Sequence, residues 1–179
     1  MRIRAAEIAE ATMIAHVHDT CWRAAYADLL PPIVLHSSLR TDRERLWTGL
    51  LAVPLEQRCA FVAEDVGIIV GCAWGGPEES GDPHYRAELL GLYLLPAYQR
   101  RGLGRRLVAA IAANVQHQGY HALTLWALAE NVVARRFYEA LGGRVLRERD
   151  TLLRGIPVPE VAYGWPDLSL TAPGSPLMR

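Results

Sequence analysis

Ala87-Glu-Leu-Leu-Gly-Leu-Tyr-Leu-Leu-Pro-Ala-Tyr-Gln-Arg-Arg-Gly-Leu-Gly-Arg-Arg-Leu107 changes its periodicity midway. Ala87 to Leu95 is apolar and stops at Pro96, which has no N–H to give to a sheet ladder, so the run reads as a strand. From Gly102 onward Leu103, Leu107, Ile111 and Val115 recur every four residues, with Val108 and Ala112 beside them. That is one apolar face of a helix ending near Gly119. Between strand and helix sits Gln99-Arg100-Arg101-Gly102-Leu103-Gly104, followed by Arg105 and Arg106. The first N–H groups of a helix have no intrahelical partner, and the helix dipole adds partial positive charge there, so this turn suits an anion. Gly102 and Gly104 admit dihedrals that other residues resist and let the backbone approach the anion. The arginines add charge-assisted donors.

Neither common nucleotide fingerprint fits. The Walker pattern requires Lys-Ser/Thr after its second glycine, and the dinucleotide pattern a third glycine where Leu107 stands. The stretch instead resembles the acetyl-CoA-binding motif of the GNAT superfamily of N-acetyltransferases, Gln/Arg-x-x-Gly-x-Gly/Ala after a strand that ends in proline. A second block, Asn131-Val-Val-Ala-Arg-Arg-Phe137-Tyr138-Glu-Ala-Leu-Gly142-Gly143, continues the resemblance at the expected distance downstream. The two blocks in order are far more specific than either one, and the resemblance covers residues 60–165.

The resemblance implies that acetyl-CoA lies between two splayed strands, at 88–95 and 122–128. Its pyrophosphate would rest on the N–H groups of Arg101, Gly102, Gly104 and Arg105, in the turn that also carries Gln99 and Arg100. Its pantetheine would pair with the backbone of Leu92 and Leu94 as an added strand. The side chains of those leucines read as core, with Tyr93 on the opposite face. Asn131 matches an asparagine that holds the pantetheine amide; it also reads as a helix N-cap, and both roles can hold. Tyr138 matches the general acid, although beside Phe137 it also reads as a core aromatic. The resemblance places the base on the strand before the loop, where Glu88 is the acid; His84, in the preceding loop, and water remain alternatives.

The other expectations come from composition and pattern. At 179 residues the chain is one domain, here 1–166 with a tail over 167–179. Lys+Arg and Asp+Glu are equal at 19, so no bulk charge recruits nucleic acid or a membrane. The odd set Cys21, Cys59 and Cys72, without a Cys-x-x-Cys pair, argues against a disulfide framework and a zinc site. With no signal pattern and no apolar run approaching about 18 residues, the protein reads as soluble and cytoplasmic. The acceptor is read as a small-molecule primary amine. A peptide or protein amine and a non-catalytic acyl-CoA sensor are the alternatives, and a homodimer is the family habit.

Taken in order, the chain predicts a strand over 1–5, helices over 6–30 and 33–51, and a capping box at Thr41-Asp42-Arg43-Glu44. A hairpin follows over 59–64 and 68–74, then a loop over 75–84. After the central strand and helix come a strand over 122–127, a helix from Asn131, and a hairpin over 143–153 and 158–165. The order β-α-α-β-β-β-α-β-α-β-β predicts an α/β fold, a mixed, mostly antiparallel sheet with helices on both faces. The resemblance implies the same acyl-CoA N-acyltransferase fold. Trp22, Tyr26 and Trp126 are candidate acceptor-pocket aromatics that core packing also explains. Asp19-Thr-Cys-Trp22-Arg-Ala-Ala-Tyr26 with Leu29-Leu-Pro31 looks like a branch of the superfamily whose substrates are mostly unassigned. His16, His18 and His36 read as helix-surface residues, and the acids of 78–82 as a solvated loop.

Overall fold

The structure is a computed structural model that describes residues 1–37, 40–54, 58–79 and 81–168. Its elements are β1 (Arg2–Ala5), α1 (Ala11–Tyr26), α2 (Pro32–Ser37), α3 (Arg40–Ala52), β2 (Cys59–Asp65), β3 (Ile68–Pro77), β4 (Ala87–Leu94), α4 (Leu103–His117), β5 (Leu123–Leu128), α5 (Val132–Ala140), β6 (Arg144–Leu153) and β7 (Ile156–Trp165). The strands form one seven-stranded sheet in the order β1-β2-β3-β4-β5-β7-β6. Every neighbouring pair is antiparallel except β4 and β5. This is the mixed, mostly antiparallel sheet with helices on both faces that the sequence predicts.

Side-chain alternation assigns the two faces. Leu89, Leu125 and Tyr163 meet Leu107, Ile111 and Val115 of α4, all buried. On the other face Val62, Cys72 and Trp74 meet Ile14 and Ala15 of α1 and Trp47 of α3. The hairpin turns are tight because both central residues are left-handed, Val66 and Gly67 at φ 48° and 80°, Arg154 and Gly155 at 54° and 79°.

Four details depart from the sequence reading. The segment Gly75-Gly76-Pro77, expected in a loop, extends β3 and pairs with Leu89, Glu88 and Ala87. A Cβ at Gly75 would lie 2.6 Å from the Glu88 carbonyl oxygen, so that glycine serves close strand approach rather than a turn. The second helical region is two helices, and α3 begins at Arg40, which puts Thr41 inside it rather than at its cap. His18 is 4% exposed, not a surface residue. The stripe of α1 that enters the core is Ile14, His18 and Cys21, while Asp19, Trp22 and Tyr26 form its half-buried flank. Leu168, in the expected tail, is fully buried and donates its N–H to the His121 carbonyl at 2.8 Å. Residues 169–179 of that tail, with Ser80 of the acidic loop, lie outside the described residues.

The feature that positions the site is the seam between β4 and β5. They pair at Ala87↔Leu123 and Glu88↔Thr124 and no further, while β5 continues along β7 to Leu128. On its other side β4 carries a bulge. Trp74 faces Gly91 and Gly75 faces Leu89, leaving Leu90 as the extra residue. A bulge bends and twists its strand, so β4 veers from β5 one step past Glu88. Gly91 permits the bend, because a Cβ there would stand 2.1 Å from the Trp74 ring.

Candidate active site

The turn after β4 folds on two left-handed residues, Arg100 at φ 60° and Gly102 at 77°. Gly104 lies inside α4 and does not supply the second unusual dihedral; Arg100 does. A Cβ at Gly104 would meet Phe137 Cζ at 3.2 Å and Leu94 Cδ1 at 3.5 Å, so this glycine admits the α5 aromatic against β4. Among the described residues the N–H groups of Arg101, Gly102, Leu103, Gly104 and Arg105 make no hydrogen bond, and the first helical bond in this turn runs from Arg106 N–H to the Gly102 carbonyl at 3.1 Å. A run of free N–H groups across a left-handed turn and a helix start is a concave anion cradle. Arg100 and Arg101 are exposed, Arg101 lies 5.3 Å over the Tyr98 ring, and Arg105 is half-buried. The Gln99 amide donates to the Leu94 carbonyl at 3.1 Å, tying the turn to the end of β4.

Past Glu88, β4 has an open edge where β5 has left it. A cleft of about 460 Å³ lies near the end of that edge, lined among others by Ala25, Asp28, Pro96, Gln99, Asn131 and Val133. It joins the C-terminal end of α1, the turn after β4 and the start of α5, and so brings Gln99 and Asn131 together. The side chains of Leu92 and Leu94 pack against the α4-side core, while Tyr93 packs on the α1 side. Asn131 caps α5, its Oδ1 accepting the Ala134 N–H at 3.1 Å.

Ala87 and Leu89 point into the α4-side core, so Glu88 faces the opposite side of the sheet. Burial raises its carboxyl to about 7, the Glu78 carboxylate adds to the rise, and the Arg149 guanidinium opposes it. Arg149 lies 3.7 Å over the Trp126 ring and donates to Glu160 at 3.0 Å. Trp126 is thereby a platform for arginine. Alternation along β6 sets Arg147 and Arg149 on one face, a pattern legible in the sequence, whereas their place beside Trp126 is not. The acids of the loop before β4 are engaged: Asp82 pairs with Arg147 and accepts the backbone N–H groups of His84 and Tyr85, and Glu79 pairs with Arg58. The His84 side chain is exposed.

Tyr138 sits on the inner face of α5, 9% exposed, its ring 6.1 Å from Tyr163 and 6.4 Å from Trp165. Burial pushes its phenol well up, so it holds its proton at neutral pH. Among the described residues its hydroxyl makes no hydrogen bond. Tyr26 of α1 lies beside the side chains of Tyr93 and Asn131 and is the titratable neighbour that acts on Tyr138. Three tyrosines from α1, β4 and α5 therefore converge at the seam. Tyr26 is among the aromatics the sequence singles out; its link to Asn131 and Tyr93 is not visible there.

The family model described as "Acetyltransferase (GNAT) family" matches residues 13–143. The chain belongs to the acetyltransferase (GNAT) family. It is 32% identical over 168 residues to the uncharacterized N-acetyltransferase YuaI of Bacillus subtilis, covering 93% of this chain and 94% of that one. It is 26% identical over 157 residues to the L-methionine sulfoximine/L-methionine sulfone acetyltransferase of Salmonella typhimurium, covering 82% and 85%. Among solved structures, yncA of Salmonella typhimurium, a putative acetyltransferase with its cofactor acetyl-CoA, superposes with a TM-score of 0.71 at 22% identity, covering 94% of each chain. The paia N-acetyltransferase of Thermoplasma acidophilum in complex with coenzyme A superposes at 0.74 and 20% identity, covering 92% and 98%. The shared fold is the acyl-CoA N-acyltransferase fold.

Proposed function

We propose that this acetyltransferase moves the acetyl group of acetyl-CoA directly to the primary amine of a small molecule in a ternary complex. Acetyl-CoA is the donor. The residues present fit it: the free N–H groups of 101–105 suit the pyrophosphate, and the open edge of β4 at Leu92 and Leu94 suits the amides of pantetheine. Gln99 and Asn131 flank the route between them. Thioester carbon supplies the electrophile. Glu88 takes a proton from the acceptor ammonium, directly or through water, and the amine nitrogen then attacks. As the C–S bond breaks, the Tyr138 hydroxyl would give its proton to the departing sulfur, and the second nitrogen proton, lost as the amide forms, would restore the phenol.

The observation that carries this reading is the pair of opposed environments at the seam. Glu88 is poised near neutrality, where a base is half available and still strong enough to act, and Tyr138 is held protonated as an acid must be. The Salmonella relative named for methionine sulfoximine and sulfone favours a small acceptor over a peptide. Among the described residues no helix is long and apolar enough to cross a membrane, and Cys21, Cys59 and Cys72 are free and buried, as a reducing compartment such as the cytoplasm allows.

Release of free thiol from acetyl-CoA in the presence of a panel of amines, amino acids, polyamines, aminoglycosides and peptides tests the function. With an accepted amine, Tyr138→Phe should lower kcat about 10²-fold or more while leaving acetyl-CoA affinity nearly unchanged. A full-rate Phe variant, with chemistry limiting, refutes the acid role.

A further inference from the structure

Arg43 of α3 is 6% exposed, and its contacts leave one donor nitrogen without a counterpart. Its Nε donates to Asp19 Oδ1 at 2.9 Å and its Nη1 to His18 Nε2 at 2.8 Å. Nη2 is fully buried and has no hydrogen-bond partner among the described residues. Asp19 also accepts Arg23 Nε at 2.8 Å. His18 is neutral at pH 7. One carboxylate thus serves two guanidinium groups; the Arg23 side chain is 42% exposed and reaches water, whereas the buried Arg43 keeps one donor edge unanswered. An orphan donor on a buried cation is costly, which makes it a demand for an anion.

The cluster stands at the acceptor side of the seam. Trp22 lies 4.9 Å over the guanidinium and packs at a tilt on Tyr26, 5.4 Å between ring centroids. The His18 ring that Arg43 bonds is stacked on Tyr93 at 4.4 Å. Tyr26 and Tyr93 are neighbours of each other and of Tyr138. Arg43 is therefore one side chain removed from Tyr26 and Tyr93, on the sheet face that Glu88 also presents.

We infer that Arg43 binds a carboxylate of the acceptor through its free Nη2, so that the substrates are amino acids rather than simple amines or polyamines. This rests on the reading of the seam as an acetyl-transfer site. The planar guanidinium, already fixed on two edges by Asp19 and His18, presents its last donors in a set direction, as recognition of a planar anion requires.

The test is binding to the protein saturated with coenzyme A, measured calorimetrically, so that it does not depend on turnover. An equimolar mixture of the twenty protein amino acids is compared with the mixture of their α-carboxamides, and the responding amino acid is then titrated alone. The amino acid should bind about 10- to 100-fold more tightly than its carboxamide, the span expected for one charge-assisted contact. Arg43→Gln should abolish that ratio, and Arg43→Lys should restore part of it. Unchanged melting of the Gln variant shows that it folds; the wild-type ratio stands as a test if it does not. Equal binding of acid and carboxamide, absence of binding by either, or a preserved ratio in Arg43→Gln overturns the inference. Thiol release with an uncharged amine alone would leave acetyl transfer standing and remove the carboxylate. Carboxylate-dependent binding without thiol release would do the reverse.

Discussion

Protonating His18 should unfold this protein. The imidazole is 4% exposed, its Nε2 faces the Arg43 Nη1 at 2.8 Å, and its Nδ1 faces the Trp47 indole N–H at 3.2 Å. A neutral ring has one lone pair to offer two donors, and a protonated ring has none. Burial first, and the Arg43 charge second, lower the pKa from its ordinary 6.5 to about 3. The sign follows. Between those values the unfolded chain binds a proton that the fold refuses, so the stability is complete above 6.5 and falls as pH drops toward 3. Each pH unit in that window costs about 1.4 kcal/mol, which gives about 2 kcal/mol at pH 5 and about 5 kcal/mol at the acid end. For a domain of this size 2 kcal/mol corresponds to a drop of about 4–8 °C in Tm. Denaturant titration at pH 7 and pH 5 of wild type and His18→Gln measures it. Carboxylates titrate in both proteins and cancel in the comparison, including Glu88, whose raised pKa acts in the opposite sense. The variant should lose about 2 kcal/mol less than wild type between the two pH values. Equal losses, or an imidazole C2–H resonance that titrates near 6 in the folded wild type, would refute the argument.

The remaining expectations concern the seam and its turn. In wild type the rate should fall as pH drops through about 7, because Glu88 must be ionised to accept a proton. Glu88→Gln should flatten that limb, with the loss of rate greatest above pH 7 where the wild-type carboxylate is charged, and an unchanged profile would pass the role to His84 or to water. Gly104→Val should lower stability by about 1–3 kcal/mol, because its methyl groups enter the space of Phe137 and Leu94. Denaturant unfolding checks this, and an unaltered midpoint would show that α4 and α5 part easily. The same substitution displaces the ring next to Tyr138, so kcat should fall even where acetyl-CoA still binds.

Much of this was legible in the chain because local periodicity and tertiary position agree. Leu103, Leu107, Ile111 and Val115 mark α4, and Leu123, Leu125 and Ala127 mark β5, since each pattern matches the face that is buried. Gly102 reads correctly as a left-handed residue. Gly104 does not, because a glycine needed for side-chain clearance looks the same in sequence as one needed for its dihedral. Gly75 is lost to a loop for the same reason. His18 is misplaced because α1 carries two overlapping stripes, and the polar residues on the buried one are explained only by Arg43, twenty-five positions away. The bulge at Leu90 leaves no mark at all, since it arises from the register of β4 against β3. Arg100 shows the limit most plainly: no propensity assigns φ 60° to an arginine, and the turn imposes it.

The seam also makes the sheet two leaves. The first four strands form a meander and the last three a second antiparallel leaf with β7 between β5 and β6, and between the leaves the ladder holds only two residue pairs. What joins them beyond that point is the helical layer, α4 packing on both leaves and Phe137 of α5 set close to Gly104. A molecule threaded along the open edge of β4 would act as a borrowed strand, shared by both leaves and belonging to neither. Such a strand turns a hinge into a plank. On the proposed reading the ligand would supply the missing rungs of an unfinished sheet, so the state in which chemistry occurs would also be the one in which the two leaves are best held together.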